Sequence, residues 1–136
     1  GLRIDSSEGA LGFCTDLGSV TDEVKSALAG VRAALIETNH DVQMLRDGPY
    51  PAALKRRILS ERGHLSNEEG AALAVFLAQN GAETLILGHI SRENNTPGRA
   101  MNVVSDALSR AGLEVSLFCA PVLGPLSAEA LERCPA

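Results

Sequence analysis

Aromatic side chains are nearly missing from this chain, with no Trp, one Tyr and three Phe in 136 residues. Its core must therefore be built from Leu, Val, Ile and Ala, and a hydrophobic content of 45% supplies enough of them for one domain. Cysteine is also scarce. Cys14, Cys119 and Cys134 lie far apart, so no C-x-x-C pair exists and a zinc ribbon is not expected. Their odd count argues against a closed disulfide framework and for a reducing, cytoplasmic setting. No apolar run approaches the ~20 residues that span a bilayer, so no membrane partner is expected. Positive charge is in the minority, and a net charge of −5 argues against a general nucleic-acid coat. A local basic patch can still bind phosphate. The chain opens Gly1-Leu2-Arg3-Ile4-Asp5, with neither an initiator Met nor a signal-peptide pattern. That opening reads as the middle of a strand, which leads us to expect a piece of a longer protein.

Apolar runs and turn residues lay out the elements. Leu2–Ile4 and Leu11–Thr15 flank a polar turn ending in Gly9 and read as a β-hairpin. Thr21 caps a helix to about Ala29, with Asp22 and Glu23 in the first turn. Ala33–Ile36 is a continuous apolar strand of the kind covered on both faces. Asp41–Arg46 reads as a helical turn stopped by Gly48-Pro49, and Pro51 opens a helix to about Glu61. Ser66-x-x-Glu69 is a capping box for a helix to about Gln79. Thr84–Leu87 is a second buried strand, Pro97–Ala111 a long helix, and Glu114–Ala120 a last strand. The expected order is β-β-α-β-α-α-β-α-β with a mixed sheet, and the tail 121–136 is expected to be loosely ordered.

Histidine is a third scarce residue, and its placement is informative. His40, His64 and His89 fall in polar strings that follow apolar runs or precede a helix. Open α/β sheets build their sites at strand ends. Asp16 and His89 each close a strand, where either alone is most often a turn residue; together they are candidate metal ligands. His64 lies just before the capping box, where it can relay a proton, and Glu37 at the end of a strand can orient it. His40 is open between lining the site and local capping with Asn39 and Asp41. Ser91, Arg92, Asn94 and Asn95 form a polar loop after His89 and are candidate substrate contacts with His40 and Asn67. Lys55-Arg56-Arg57, with Arg46 and Arg62, is either a solvated helix face or a phosphate-contacting edge.

Four strings carry a resemblance: Thr15-Asp16-Leu17-Gly18, Glu37-Thr38-Asn39-His40-Asp41, the stretch from Lys55-Arg56-Arg57-Ile58-Leu59-Ser60 to Gly63-His64-Leu65-Ser66-Asn67, and Gly88-His89-Ile90-Ser91-Arg92-Glu93-Asn94-Asn95. In this order they resemble bacterial metallo-β-lactamase-fold hydrolases of the YycJ/WalJ type. These are related to the tRNA 3′-processing endonuclease RNase Z and to cyclic-phosphate phosphodiesterases. The resemblance covers about residues 1–120 and implies the C-terminal half of an αββα sandwich. It implies two divalent metal ions, zinc or manganese. Asp16 would be the bridging carboxylate, His89 the last histidine ligand, and Glu37 with His64 the proton-transfer pair. The His-x-His-x-Asp-His motif of such proteins is absent here, so the N-terminal half is expected as a missing partner and the fragment alone is expected to be inactive. A homo-oligomer is also compatible with the resemblance. The implied activity is a phosphodiesterase, a DNA exonuclease first of all. The alternatives are a small-molecule ester or cyclic-phosphodiester hydrolase, and a non-catalytic half-domain that pairs with a separate partner.

Overall fold

The computed structural model describes residues 1–120. The expected tail 121–136 and Cys134 lie outside the described residues. Strands β1 (Leu2–Ser6) and β2 (Gly9–Cys14) form the hairpin, followed by helix α1 (Asp22–Leu28) and strand β3 (Ala33–Glu37). Helices α2 (Val42–Asp47), α3 (Ala52–Ile58) and α4 (Asn67–Gln79) precede β4 (Thr84–Gly88), α5 (Pro97–Arg110) and β5 (Ser116–Cys119). The sheet is five-stranded with spatial order β1-β2-β3-β4-β5. Its first pair is antiparallel and the rest are parallel, so the sheet is mixed as expected.

The expected order lacked one helix. Asp41–Arg46 is more than a turn, because the Asp41 carboxylate accepts the Met44 N–H at 2.7 Å and caps α2. Two elements are shorter than expected. Helix α3 ends at Ile58, where Gly63 N–H turns back to the Ser60 carbonyl at 2.7 Å, and β5 begins only at Ser116. The capping box of α4 is present in both halves, with Glu69 N–H donating to Ser66 Oγ at 3.2 Å and Ser66 N–H to Glu69 Oε2 at 2.8 Å.

One face of the sheet is the core. Cys14, Ile36, Leu85 and Leu87 are fully buried there with Leu73, Ala74 and Leu77 of α4 and Ala100 and Val104 of α5. Helix α4 lies against β3, α5 against β5, and the two helices pack on each other, with α1 against α4. The opposite face is apolar, and no helix among the described residues forms a layer on it. Cross-strand register runs one row of partners through Leu2, Phe13, Leu35, Ile86 and Phe118. Leu2 is 58% exposed, Ile4 45%, Leu11 42% and Phe13 39%. No described helix is long and apolar enough to cross a membrane.

Candidate metal centre

Strands β2, β3 and β4 run parallel, so their C-terminal ends lie side by side. That edge gathers Asp16 two residues past β2, Glu37 as the last residue of β3, and His89 directly after β4. His64 arrives from elsewhere. The loop before α4 is stitched to the strand edge by Asn39 N–H to Leu65 O and Asn67 N–H to His40 O, both 2.9 Å. Two close approaches make this fit. A Cβ on Gly18 would meet the Glu61 carbonyl, and one on Gly63 would meet the Ile58 carbonyl. Glycine at both positions lets the Asp16 turn press against the strand of chain that carries His64.

Glu37 organises the centre. It is fully buried, and its Oε1 accepts from His64 Nδ1 and His89 Nδ1, each at 2.8 Å. Its Oε2 accepts the Leu17 N–H at 2.9 Å. The two imidazoles stand edge to face with centroids 5.0 Å apart. Asp16 Oδ1 lies 3.9 Å from His64 Nδ1 and 3.8 Å from His89 Nε2. One potential donor atom from each of Asp16, His64 and His89 falls within 4.8 Å of the others, the spacing of groups able to share an ion. Asp16 is 70% exposed at its side chain and His89 38%, so the cluster opens to solvent above a buried carboxylate.

The backbone marks the same residues. Asp16 at φ 57° and His89 at φ 55° are the two non-glycine residues of positive φ among those described. Such conformations cost free energy and persist where surrounding structure holds a side chain in a particular place. Asn39 Nδ2 donates to the His89 carbonyl at 2.8 Å and helps to hold that strained turn.

A cavity of about 560 Å³ lies over the cluster, lined by Asp16, His64, His89, Asn39, Ser91 and the α3 segment with Tyr50, Arg57 and Arg62. Of the expected site residues, the cavity thus receives Asp16, His64, His89 and Ser91, with Glu37 beneath them. Arg92 is exposed and outside it.

Three expected substrate contacts lie beneath the surface. Asn67, Asn94 and Asn95 are buried at 0%, 1% and 3% exposure and form no rim. Asn67 and Asn95 exchange amide hydrogen bonds at 3.0 and 2.7 Å, and Asn95 also donates to the Thr38 carbonyl at 2.9 Å. Asn94 accepts the Asp41 N–H on its backbone carbonyl at 2.9 Å. A polar loop without apolar residues looks like surface, but the Asn67 and Asn95 amides satisfy one another and so are buried, whereas Asn94 Oδ1 is buried without a partner.

His40 is also buried, at 1% exposure, and neither ring nitrogen has a partner. Burial holds its pKa below the usual histidine range. It borders a second cavity of about 350 Å³ on the α4 side of His64, together with Arg46, Glu68 and Glu69. Local capping falls to Asp41. Burial would raise the Asp41 carboxyl, but the Met44 N–H and the Arg99 guanidinium at 3.0 Å outweigh it and hold the group below its ordinary value. Cys14 and Cys119 are buried, and burial pushes the Cys14 thiol up to about 11. Tyr50 and Asn39 were not singled out as site residues by their sequence, and nothing local to them signals it; the basic run did contain Arg57 and Arg62.

The parallel strand edge thus joins a strained Asp16, the His89 and His64 imidazoles and a buried carboxylate that both imidazoles share. No family model matches the chain. It is 42% identical over 103 residues to the exodeoxyribonuclease WalJ of Streptococcus pneumoniae, in both the D39 and R6 strains. It is 40% identical over 105 residues to the exodeoxyribonuclease YycJ of Bacillus anthracis. These alignments cover 76% and 77% of this chain, and the chain spans 38% and 40% of those relatives. Over the matched residues the chain belongs to the WalJ/YycJ-like family.

Proposed function

We propose that the chain is the C-terminal half of a dinuclear metal-dependent phosphodiesterase that degrades DNA as an exonuclease. One observation carries this reading. Asp16, His64 and His89 converge over one buried carboxylate, and two of the three adopt strained backbone conformations to do so. The donor set suits the metal. Imidazole nitrogens and a carboxylate oxygen are ligands for zinc or manganese, and exposure of Asp16 leaves room for further ligands. Asp16 and His89 would hold the ions, with the remaining ligands from the rest of the protein.

When bound, two such ions activate a water and steady both oxygens of an in-line displacement at phosphorus. The chain's own residues do the rest. Glu37 fixes the tautomer of both histidines by accepting from their Nδ1 atoms, which leaves each Nε2 free to act. Nε2 of His89 lies 3.8 Å from Asp16 Oδ1 and would bind an ion held beside it. Nε2 of His64 hands a proton to the departing oxygen, with the Glu37 charge supporting its protonated form.

The apolar sheet face that no described helix covers supports the half-domain reading. An unbroken apolar row across five strands is the inner face of a sandwich, and the remainder of the protein supplies the facing sheet. The names of the relatives support DNA as the substrate. The test is cleavage of end-labelled duplex DNA by the full-length protein, with and without a chelator. Metal-dependent release of nucleotides from an end supports the reading. Chelator-insensitive cleavage, or hydrolysis confined to small esters, would sink it.

A further inference from the structure

The cavity over the metal centre has a charged wall that the chemistry above leaves unused. Arg57 and Arg62 line it from the α3 side. Four arginines elsewhere in the described chain are committed, Arg3 to Asp5, Arg32 to Glu83, Arg99 to Asp41 and Arg110 to the Asp106 carbonyl, while Arg56 and Arg92 are exposed and lie outside this cavity. Arg57 and Arg62 have no side-chain acceptor among the described residues, and both are exposed. Lys55, the neighbour in the same basic run, is already used, since its ammonium donates to the Arg46 carbonyl at 2.6 Å. Two guanidiniums with no acceptor among the described residues thus line this cavity of about 560 Å³ in a chain of net charge −5.

The second cavity, on the other side of His64, has the opposite balance. Arg46 shares its lining with Glu68 and Glu69, two carboxylates to one guanidinium. A polyanion leaving the metal centre is therefore attracted toward α3 and repelled from the start of α4. Guanidinium forks also match phosphate oxygens in geometry as well as charge.

We propose that Arg57 and Arg62 grip backbone phosphates beside the cleaved bond, so that the DNA strand crosses the site over α3 and not over α4. This rests on the reading of the site as one that cuts a DNA strand, and it deepens that reading by giving the strand its path. These contacts are to phosphate, so they position the strand without reading its sequence.

Binding is measured in the full-length protein by fluorescence anisotropy of a labelled DNA duplex with the metals chelated, so that no cleavage is needed. In R57Q/R62Q the dissociation constant is expected to rise by about tenfold for each lost charge-assisted contact. The slope of log affinity against log salt is expected to become shallower by about two, as each phosphate contact contributes ~0.9. R57K/R62K should recover most of the salt slope. An unchanged affinity and slope in R57Q/R62Q, or an equal loss in R46Q, overturns the proposal. Parallel cleavage assays keep the two readings apart. Arginine-dependent binding without any cleavage removes the hydrolase reading and leaves the phosphate grip standing.

Discussion

Glu37→Gln in the full-length protein probes the centre at its most connected atom pair. The carboxylate is fully buried and receives three N–H groups: His64 and His89 on Oε1 and Leu17 on Oε2. Glutamine is nearly the same size but offers one acceptor oxygen and one NH2 group. With its oxygen toward the imidazoles, the NH2 faces the Leu17 N–H and leaves a buried donor without a partner, at about 1–3 kcal/mol. With its NH2 toward the imidazoles, both Nδ1 atoms must become acceptors. Each Nε2 then carries the proton, and His89 loses the lone pair it needs for a metal. Either outcome removes the charge that supports the histidines. We expect metal affinity to fall by ~10–100-fold, the usual cost of losing an outer partner of a metal-binding histidine. At saturating metal, turnover should still fall, within the ~10²–10⁴ range of general acid catalysis. Metal titration followed by elemental analysis reads the first effect, and single-turnover cleavage the second. Near wild-type metal affinity in Glu37→Gln would refute the shared role of this carboxylate.

Three further outcomes are expected. His64→Ala should lower turnover sharply yet retain bound metal, with a smaller loss on a nitrophenyl phosphodiester, whose leaving oxygen needs no proton; equal losses on both substrates would remove the proton-transfer role. Leu11→Glu with Phe13→Glu should destabilise the full-length protein by at least ~3 kcal/mol in a denaturant melt, the worth of two buried apolar side chains, while raising the solubility of the isolated chain; no change in the full-length melt would leave that sheet face uncovered in the whole protein. His40 gives a pH dependence. Burial lowers its pKa from the ordinary 6.5, so below that pH the unfolded chain binds the proton more readily than the folded one. Its contribution to stability is thus complete above about pH 6.5 and lost progressively as pH falls toward the depressed folded value. His40→Gln should flatten that part of a melting-temperature profile, and an unaltered profile would show that His40 does not titrate there.

Much of the scaffold was legible because local chemistry announces it. The capping box at Ser66 and Glu69, the Thr21 cap and Pro97 in the first turn of α5 all act within a few residues. The alternation of Leu11 and Phe13 with Ala10, Gly12 and Cys14 already separates two faces of β2. The pairing of Glu37 with His64 was read from the family resemblance and from strand-end position. Its second bond, to His89, was not. That contact joins residues 52 apart and depends on β3 lying beside β4, which no local pattern records. The same limit explains Asn67 and Asn95. Their strings are polar enough for a surface rim, and only the meeting of two distant loops lets each amide satisfy the other. Helix α2 was underestimated because its six residues carry a single cap, and that cap works only once Asp41 turns toward Met44.

The central claim is that Asp16 and His89 hold catalytic metal over Glu37. Its most direct test is a crystal structure of the full-length protein with anomalous scattering at the zinc and manganese edges, paired with elemental analysis of Asp16→Ala. The account predicts two ions at the C-terminal ends of β2 and β4, with Asp16 touching both and His89 Nε2 bound to one, and loss of the pair in Asp16→Ala. Ions bound elsewhere, or a pair retained in full by Asp16→Ala, would contradict it.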